Sequence, residues 1–212
     1  MAEMETLDRD GVRGYLHRPE GPLRGGLALT HGASSNANAP LLVAAARAFQ
    51  AAGFLVLRYD LPYRQERRTG PPHPSRAPRD REGIVKAVGI LRGLGAAKII
   101  AAGHSYGGRQ TTMAAAENAA LAELLLLFSY PLHAPGRPEA PRMSHFPKLN
   151  APCVFIHGSK DPFGTIEEMR AAIALIPSPV RLIEIAGSGH DLRRRGAFPI
   201  AEALEVVEAA WK

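Results

Sequence analysis

A three-layer α/β fold, with a mostly parallel sheet between helices, is predicted by three observations. Segments of strand length alternate with segments of helical periodicity along most of the chain. The strand segments are apolar on both faces, as a sheet covered by helices on both sides requires. Polar residues gather just after the strand ends, where open parallel sheets collect their reactive groups. With 212 residues, one domain spanning 1–212 is expected, large enough to bury a sizeable core. No insertion is long enough to form a separate cap domain.

The elements follow in order. Gly14 to His17 reads as a short edge strand, and Gly25 to Thr30 as a buried strand running into His31-Gly32-Ala33. Pro40 to Ala52 carries Leu41, Leu42, Ala45 and Phe49 at helical spacing and ends at Gly53. Phe54 to Tyr59 is the next strand. Leu61 to Asp80, rich in proline and arginine, reads as a loop, with Asp80 placed to cap a helix from Arg81 to Leu94. Lys98 to Ala102 is a strand and Arg109 to Glu117 a helix. Glu123 to Ser129 is another strand, followed by a proline-rich loop from Tyr130 to Leu149. Pro152 to His157 and Val180 to Ile185 are the last strands. Helices are expected from Thr165 to Ile176 and from Pro199 to Trp211, with Pro199 suited to a first turn.

Composition narrows the setting. No apolar run approaches the roughly 20 residues that cross a bilayer, and Met1 to Gly11 is polar and acidic, unlike a secretory leader. The single cysteine, Cys153, excludes an internal disulfide. It lies within a strand and reads as an inert buried thiol. A cytoplasmic protein is expected. The formal charge of +6 raises the question of nucleic acid. The arginines, however, fall in short clusters such as Arg64-Arg67-Arg68, Arg76-Arg79-Arg81 and Arg193-Arg194-Arg195, without a basic tail or interleaved aromatics. They read mainly as solvated surface. Neither a nucleic-acid nor a membrane partner is expected.

The chemistry concentrates at Gly103-His104-Ser105-Tyr106-Gly107. A strand turning straight into a helix strains the residue at the bend, and small residues two positions away let the flanking backbones approach. A serine so presented is a poor nucleophile until a base takes its proton. That base is expected to be a histidine, itself held by a carboxylate. Downstream, His157-Gly158-Ser159-Lys160-Asp161 and Gly187-Ser188-Gly189-His190-Asp191 follow the last two strands. Ser105 is therefore assigned as nucleophile, His190 as general base and Asp161 as the orienting acid, with Asp60 and Asp191 as alternatives for the acid. His31, His104 and His157 read as structural hydrogen-bonding groups. No Cys/His cluster has metal-ligand spacing, and the glycines lack the G-x-G-x-x-G order, so no metal and no cofactor is expected.

The His31-Gly32 segment, the Gly-His-Ser-Tyr-Gly-Gly elbow, His157-Gly-x-x-Asp161 and Gly187-x-Gly-His190, in that order, resemble the α/β-hydrolase superfamily. The small uncapped layout is similar to the dienelactone-hydrolase-like group. Leu57-Arg58-Tyr59-Asp60 and the arginine-rich loop resemble a subgroup related to a mammalian testis-expressed protein. Dienelactone hydrolases proper carry cysteine where this elbow has Ser105. The resemblance implies an oxyanion hole formed by the backbone N–H groups of Tyr106 and Ala33. It also implies a serine hydrolase that cleaves an ester, thioester or similar acyl bond of a small molecule. Arg58 and Arg64 are candidates for receiving an anionic substrate. The competing reading is a catalytically idle member of the same fold serving as a binding or scaffold protein. The sequence does not specify the oligomeric state.

Overall fold

Side chains on successive strand residues point to opposite faces, and here they sort into two cores on either side of one sheet. Leu55, Leu57, Ala101, Leu125 and Leu127 pack in one core, while Phe54, Val56, Ile100, Leu124 and Leu126 pack in the other. The computed structural model describes residues 3–194 and 196–211, so Arg195 of the basic cluster and the first two residues lie outside it.

The strands, in chain order, are Glu3–Arg9 (β1), Val12–Arg18 (β2), Gly25–Thr30 (β3), Phe54–Asp60 (β4), Ile99–His104 (β5), Leu124–Phe128 (β6), Cys153–Gly158 (β7) and Val180–Ile185 (β8). They form one eight-stranded sheet in the order β1-β2-β4-β3-β5-β6-β7-β8. The β1–β2 and β2–β4 pairs are antiparallel and the remainder parallel. The helices are Pro40–Ala51 (α1), Pro62–Glu66 (α2), Ala77–Gly93 (α3), Tyr106–Glu117 (α4), Ile166–Ile173 (α5) and Ile200–Ala210 (α6). Residues of α3, α4 and α5 join the first core, and those of α1 and α6 the second. This is the three-layer arrangement expected, and the described residues include no separate cap.

Three expectations need correction. The first strand from Gly14 is not an edge: β1 lies outside it, joined through Asp10 and Gly11, both at positive φ. Asp-Gly suits such a hairpin turn, because its twist matches that of the strands. Leu61 to Asp80 is not wholly loop, since it holds α2, a 3₁₀ turn at Pro74–Arg76 and the start of α3. Its prolines begin helices instead of breaking them: a first-turn N–H has no intrahelical acceptor, so its loss is harmless. Asp80 consequently lies in the first turn of α3, fully buried, and not at its cap. Finally, α4 begins at Tyr106, directly after Ser105, and not at Arg109.

The chain leaves β3 for β4 on one side of the sheet, and β5 returns to the other side of β3. A crevice opens at the carboxyl ends of strands that diverge in this way. The His31 loop follows β3 and the Ser105 elbow follows β5, so both border that crevice.

Candidate active site

Ser105 has φ 51° and ψ −118°, a conformation costly for a residue with a side chain. The surrounding glycines make it attainable. A Cβ on Gly103 would lie 2.5 Å from the Gly107 carbonyl carbon, and one on Gly107 would lie 2.5 Å from the His31 carbonyl oxygen. The bend thus brings β5, the first turn of α4 and the end of β3 to backbone contact.

The structure brings Ser105, His190 and Asp161 together from three strand ends. Ser105 Oγ lies 2.8 Å from His190 Nε2. On the other side of the ring, Nδ1 lies 2.8 Å and 3.0 Å from the two Asp161 carboxylate oxygens. The carboxylate is buried and also accepts the Phe163 N–H at 2.9 Å, which fixes its orientation. The Phe163 ring stacks on His190 with centroids 4.1 Å apart. Of the alternative acids, Asp60 accepts the Ala37 N–H and Asp191 the Arg193 N–H, and neither is placed on His190.

The three histidines read as structural, His31, His104 and His157, hold backbone. His104 donates from Nε2 to the His190 carbonyl at 3.0 Å, and burial pushes its pKa down to about 4. It therefore stays neutral and places no charge beside His190. Buried His157 donates from Nε2 to the Gly164 carbonyl, closing the loop that carries Asp161. His31 donates from Nδ1 to the Gly32 carbonyl and accepts the Leu61 N–H at Nε2. Burial lowers the pKa of both.

The two expected oxyanion donors border the cavity beside Ser105. Tyr106 is the first residue of α4, so the helix offers its N–H no acceptor. The Gly32 carbonyl is held by the His31 ring, the Ser35 N–H and the Tyr63 hydroxyl. The peptide is planar and trans, so fixing that carbonyl aims the Ala33 N–H the opposite way. Tyr63 donates to the Ala33 carbonyl as well, at 2.9 Å. Asp80 joins the two sides, accepting the Tyr106 hydroxyl at 2.7 Å and the Tyr63 N–H at 3.1 Å. Burial raises the pKa of Asp80 and of both tyrosines, Tyr63 to about 12. Sequence reasoning missed Asp80, Tyr63 and Phe163 as parts of the site, because nothing in their spacing marks them.

Arg58 and Arg64, expected to receive an anion, lie within the fold. Arg58 is buried, donating to His17 Nε2, the Ala37 carbonyl and Asn38 Oδ1, with its guanidinium over the Tyr15 ring. Arg64 is also buried and donates to the carbonyls of Ala33, Ser35, Arg67 and Gly70. Their donors are consumed within the fold, and neither side chain borders the cavity. That cavity measures about 880 Å³ and reaches from Ser105 across α4 to the Pro71-to-Pro78 segment. Among the described residues, no group of three or more His, Cys, Asp or Glu is placed to hold a metal ion. No helix among them is long and apolar enough to cross a membrane.

A sequence model of the family described as "Alpha/beta hydrolase domain" matches residues 24–210. No curated protein matches the chain. Among solved structures, a dienelactone hydrolase from Anabaena variabilis superposes with a TM-score of 0.73 at 22% identity, over 100% of this chain and 95% of that one. Est1E from Butyrivibrio proteoclasticus, in a structure with ferulic acid bound, gives 0.78 at 17% identity over 97% and 98%. An alpha-beta serine hydrolase homologue from Coxiella burnetii gives 0.69 at 18% identity over 100% and 97%. At these identities the likeness is one of fold.

Proposed function

Because the chain belongs to the α/β-hydrolase domain family, we propose that it is a serine hydrolase cleaving an ester, thioester or similar acyl bond of a small molecule. The observation that carries this reading is the continuous hydrogen-bonded line from Ser105 Oγ through His190 to Asp161. In the acylation step, Ser105 Oγ attacks the acyl carbon while its proton passes to His190 Nε2. Asp161 holds the ring through Nδ1 and stabilises the imidazolium that forms. The oxyanion takes hydrogen bonds from the Tyr106 and Ala33 N–H groups, each such donor being worth about 3 kcal/mol of barrier. His190 then protonates the leaving alcohol or thiol. A water, deprotonated by the same ring, releases the acid and restores Ser105.

The test is labelling with a fluorophosphonate probe, alongside hydrolysis of 4-nitrophenyl butyrate. Wild type is expected to label and turn over, with both lost in Ser105→Ala and His190→Ala. Folded wild type that neither labels nor hydrolyses would overturn the reading in favour of an idle scaffold.

A further inference from the structure

Arginines gather on the wall of the cavity beyond Ser105. Arg109 and Arg142 border it from α4 and from the segment after β6, and Arg81 borders it from α3. Arg81 is neutralised by Glu117 at 2.9 Å. Arg109 and Arg142 are not: among the described residues, neither guanidinium has a carboxylate or any other hydrogen-bond acceptor, although both are half-buried. Arg109 Nε is itself enclosed and unpaired. Gln110, also on the cavity wall and completely buried, spends Oε1 on Arg81 and leaves Nε2 with no acceptor. Buried donors are rarely left in this state.

The electrostatics agree with the geometry. Arg142 has its pKa lowered by burial and then by the nearby Arg109 charge, so the two cations repel within the protein. His145 is pushed down to about 4 by burial and by Arg109 and Arg81. Asp191 borders the same cavity, but among the described residues no carboxylate pairs with either guanidinium. Two guanidiniums without an acceptor on one wall of the cavity favour an anion there.

We infer that Arg109 and Arg142 form a subsite for an anionic group, a carboxylate or a phosphate, carried by the substrate at a distance from its scissile bond. This rests on the hydrolase reading and names its substrate class. The position follows from the helix. Arg109 lies four residues after Ser105, and its N–H donates to the Ser105 carbonyl at 2.9 Å. One helical turn rises about 5.4 Å, and both residues border the same cavity, so the anion of a short acyl ester is placed beside Arg109. The arginine fork suits both carboxylate and phosphate, since each accepts two parallel N–H bonds.

The experiment compares kcat/KM at low salt for 4-nitrophenyl butyrate, 4-nitrophenyl hemisuccinate and the 4-nitrophenyl ester of 3-phosphonopropionate. Wild type is expected to favour at least one anionic ester by about tenfold or more, the scale of a charge-assisted hydrogen bond. Whichever ester gains more distinguishes carboxylate from phosphate. The preference should vanish in Arg109→Gln/Arg142→Gln and return in part in Arg109→Lys. Equal rates for all three esters in wild type, or a preference that survives in the double variant, would overturn the subsite.

Should no ester be hydrolysed and Ser105 not label, the hydrolase reading fails separately. The subsite is then judged by the rise in Tm with succinate and with inorganic phosphate. A rise in wild type that the double variant lacks sustains it, and an equal response in the two proteins ends it.

Discussion

The Tyr106 hydroxyl donates to the buried Asp80 carboxylate at 2.7 Å, tying the residue after the nucleophile to the first turn of α3. The same carboxylate accepts the Tyr63 N–H, and the Tyr63 hydroxyl holds the Gly32 and Ala33 carbonyls. One acidic side chain thereby sets the spacing between both expected oxyanion donors. Asp80→Ala strands the Tyr63 N–H and the Tyr106 hydroxyl, at a cost of about 2 kcal/mol or more. Urea unfolding should read that loss, and kcat should fall more than KM rises.

Asp161→Asn keeps the shape of the carboxylate but offers His190 Nδ1 the wrong partner. A drop in kcat of about ten-thousand-fold is expected, with an unaltered Tm. Steady-state hydrolysis of 4-nitrophenyl butyrate and a thermal melt together check this.

Gly103→Ala drives a methyl to within 2.5 Å of the Gly107 backbone. No side-chain rotation relieves a clash with main chain, so β5 and α4 must separate. A destabilisation of about 2 kcal/mol is expected, together with slower fluorophosphonate labelling as Ser105 is displaced.

Arg64→Met removes the guanidinium that ties Ala33, Ser35 and Gly70 together. The expected result is a lower Tm and a lower kcat for neutral and anionic esters alike. A selective loss on anionic esters would instead return Arg64 to substrate binding.

Histidines 104 and 145, both pushed down to about 4, stay neutral in the folded protein at pH values where the unfolded chain protonates them. The unfolded state then binds more protons between about pH 4 and 6.5, so stability rises with pH through that window and is lost as pH falls. Each histidine contributes a limiting slope of about 1.4 kcal/mol per pH unit. Denaturant melts across the window should show the rise, and His145→Gln should make it shallower, leaving the His104 part.

Much of this was legible before any coordinates, for identifiable reasons. The strands of the parallel region are continuous apolar runs such as Leu124 to Phe128, and the elbow compresses its requirements into five consecutive residues. The edge hairpin was hidden because β1 is a polar strand, although Asp10-Gly11 marked its turn. Proline misled between Leu61 and Asp80, where Pro62, Pro74 and Pro78 sit in first turns. Tyr63 and Asp80 lie well before the elbow in sequence and Phe163 well after it, and only tertiary packing brings them there. Arginine type alone did not separate guanidiniums consumed by carbonyls, as in Arg58 and Arg64, from those left unpaired, as in Arg109 and Arg142.

The prolines that obscured the sequence reading also shape how the cavity meets its ligand. Pro71, Pro72, Pro74 and Pro78 form much of the wall facing the elbow. Each has its φ fixed by its own ring, so this wall has little backbone entropy left to lose when a molecule settles against it. Binding there is closer to filling a rigid mould than to closing a flexible lid. A molecule whose shape matches this wall can settle against it before any loop has to move.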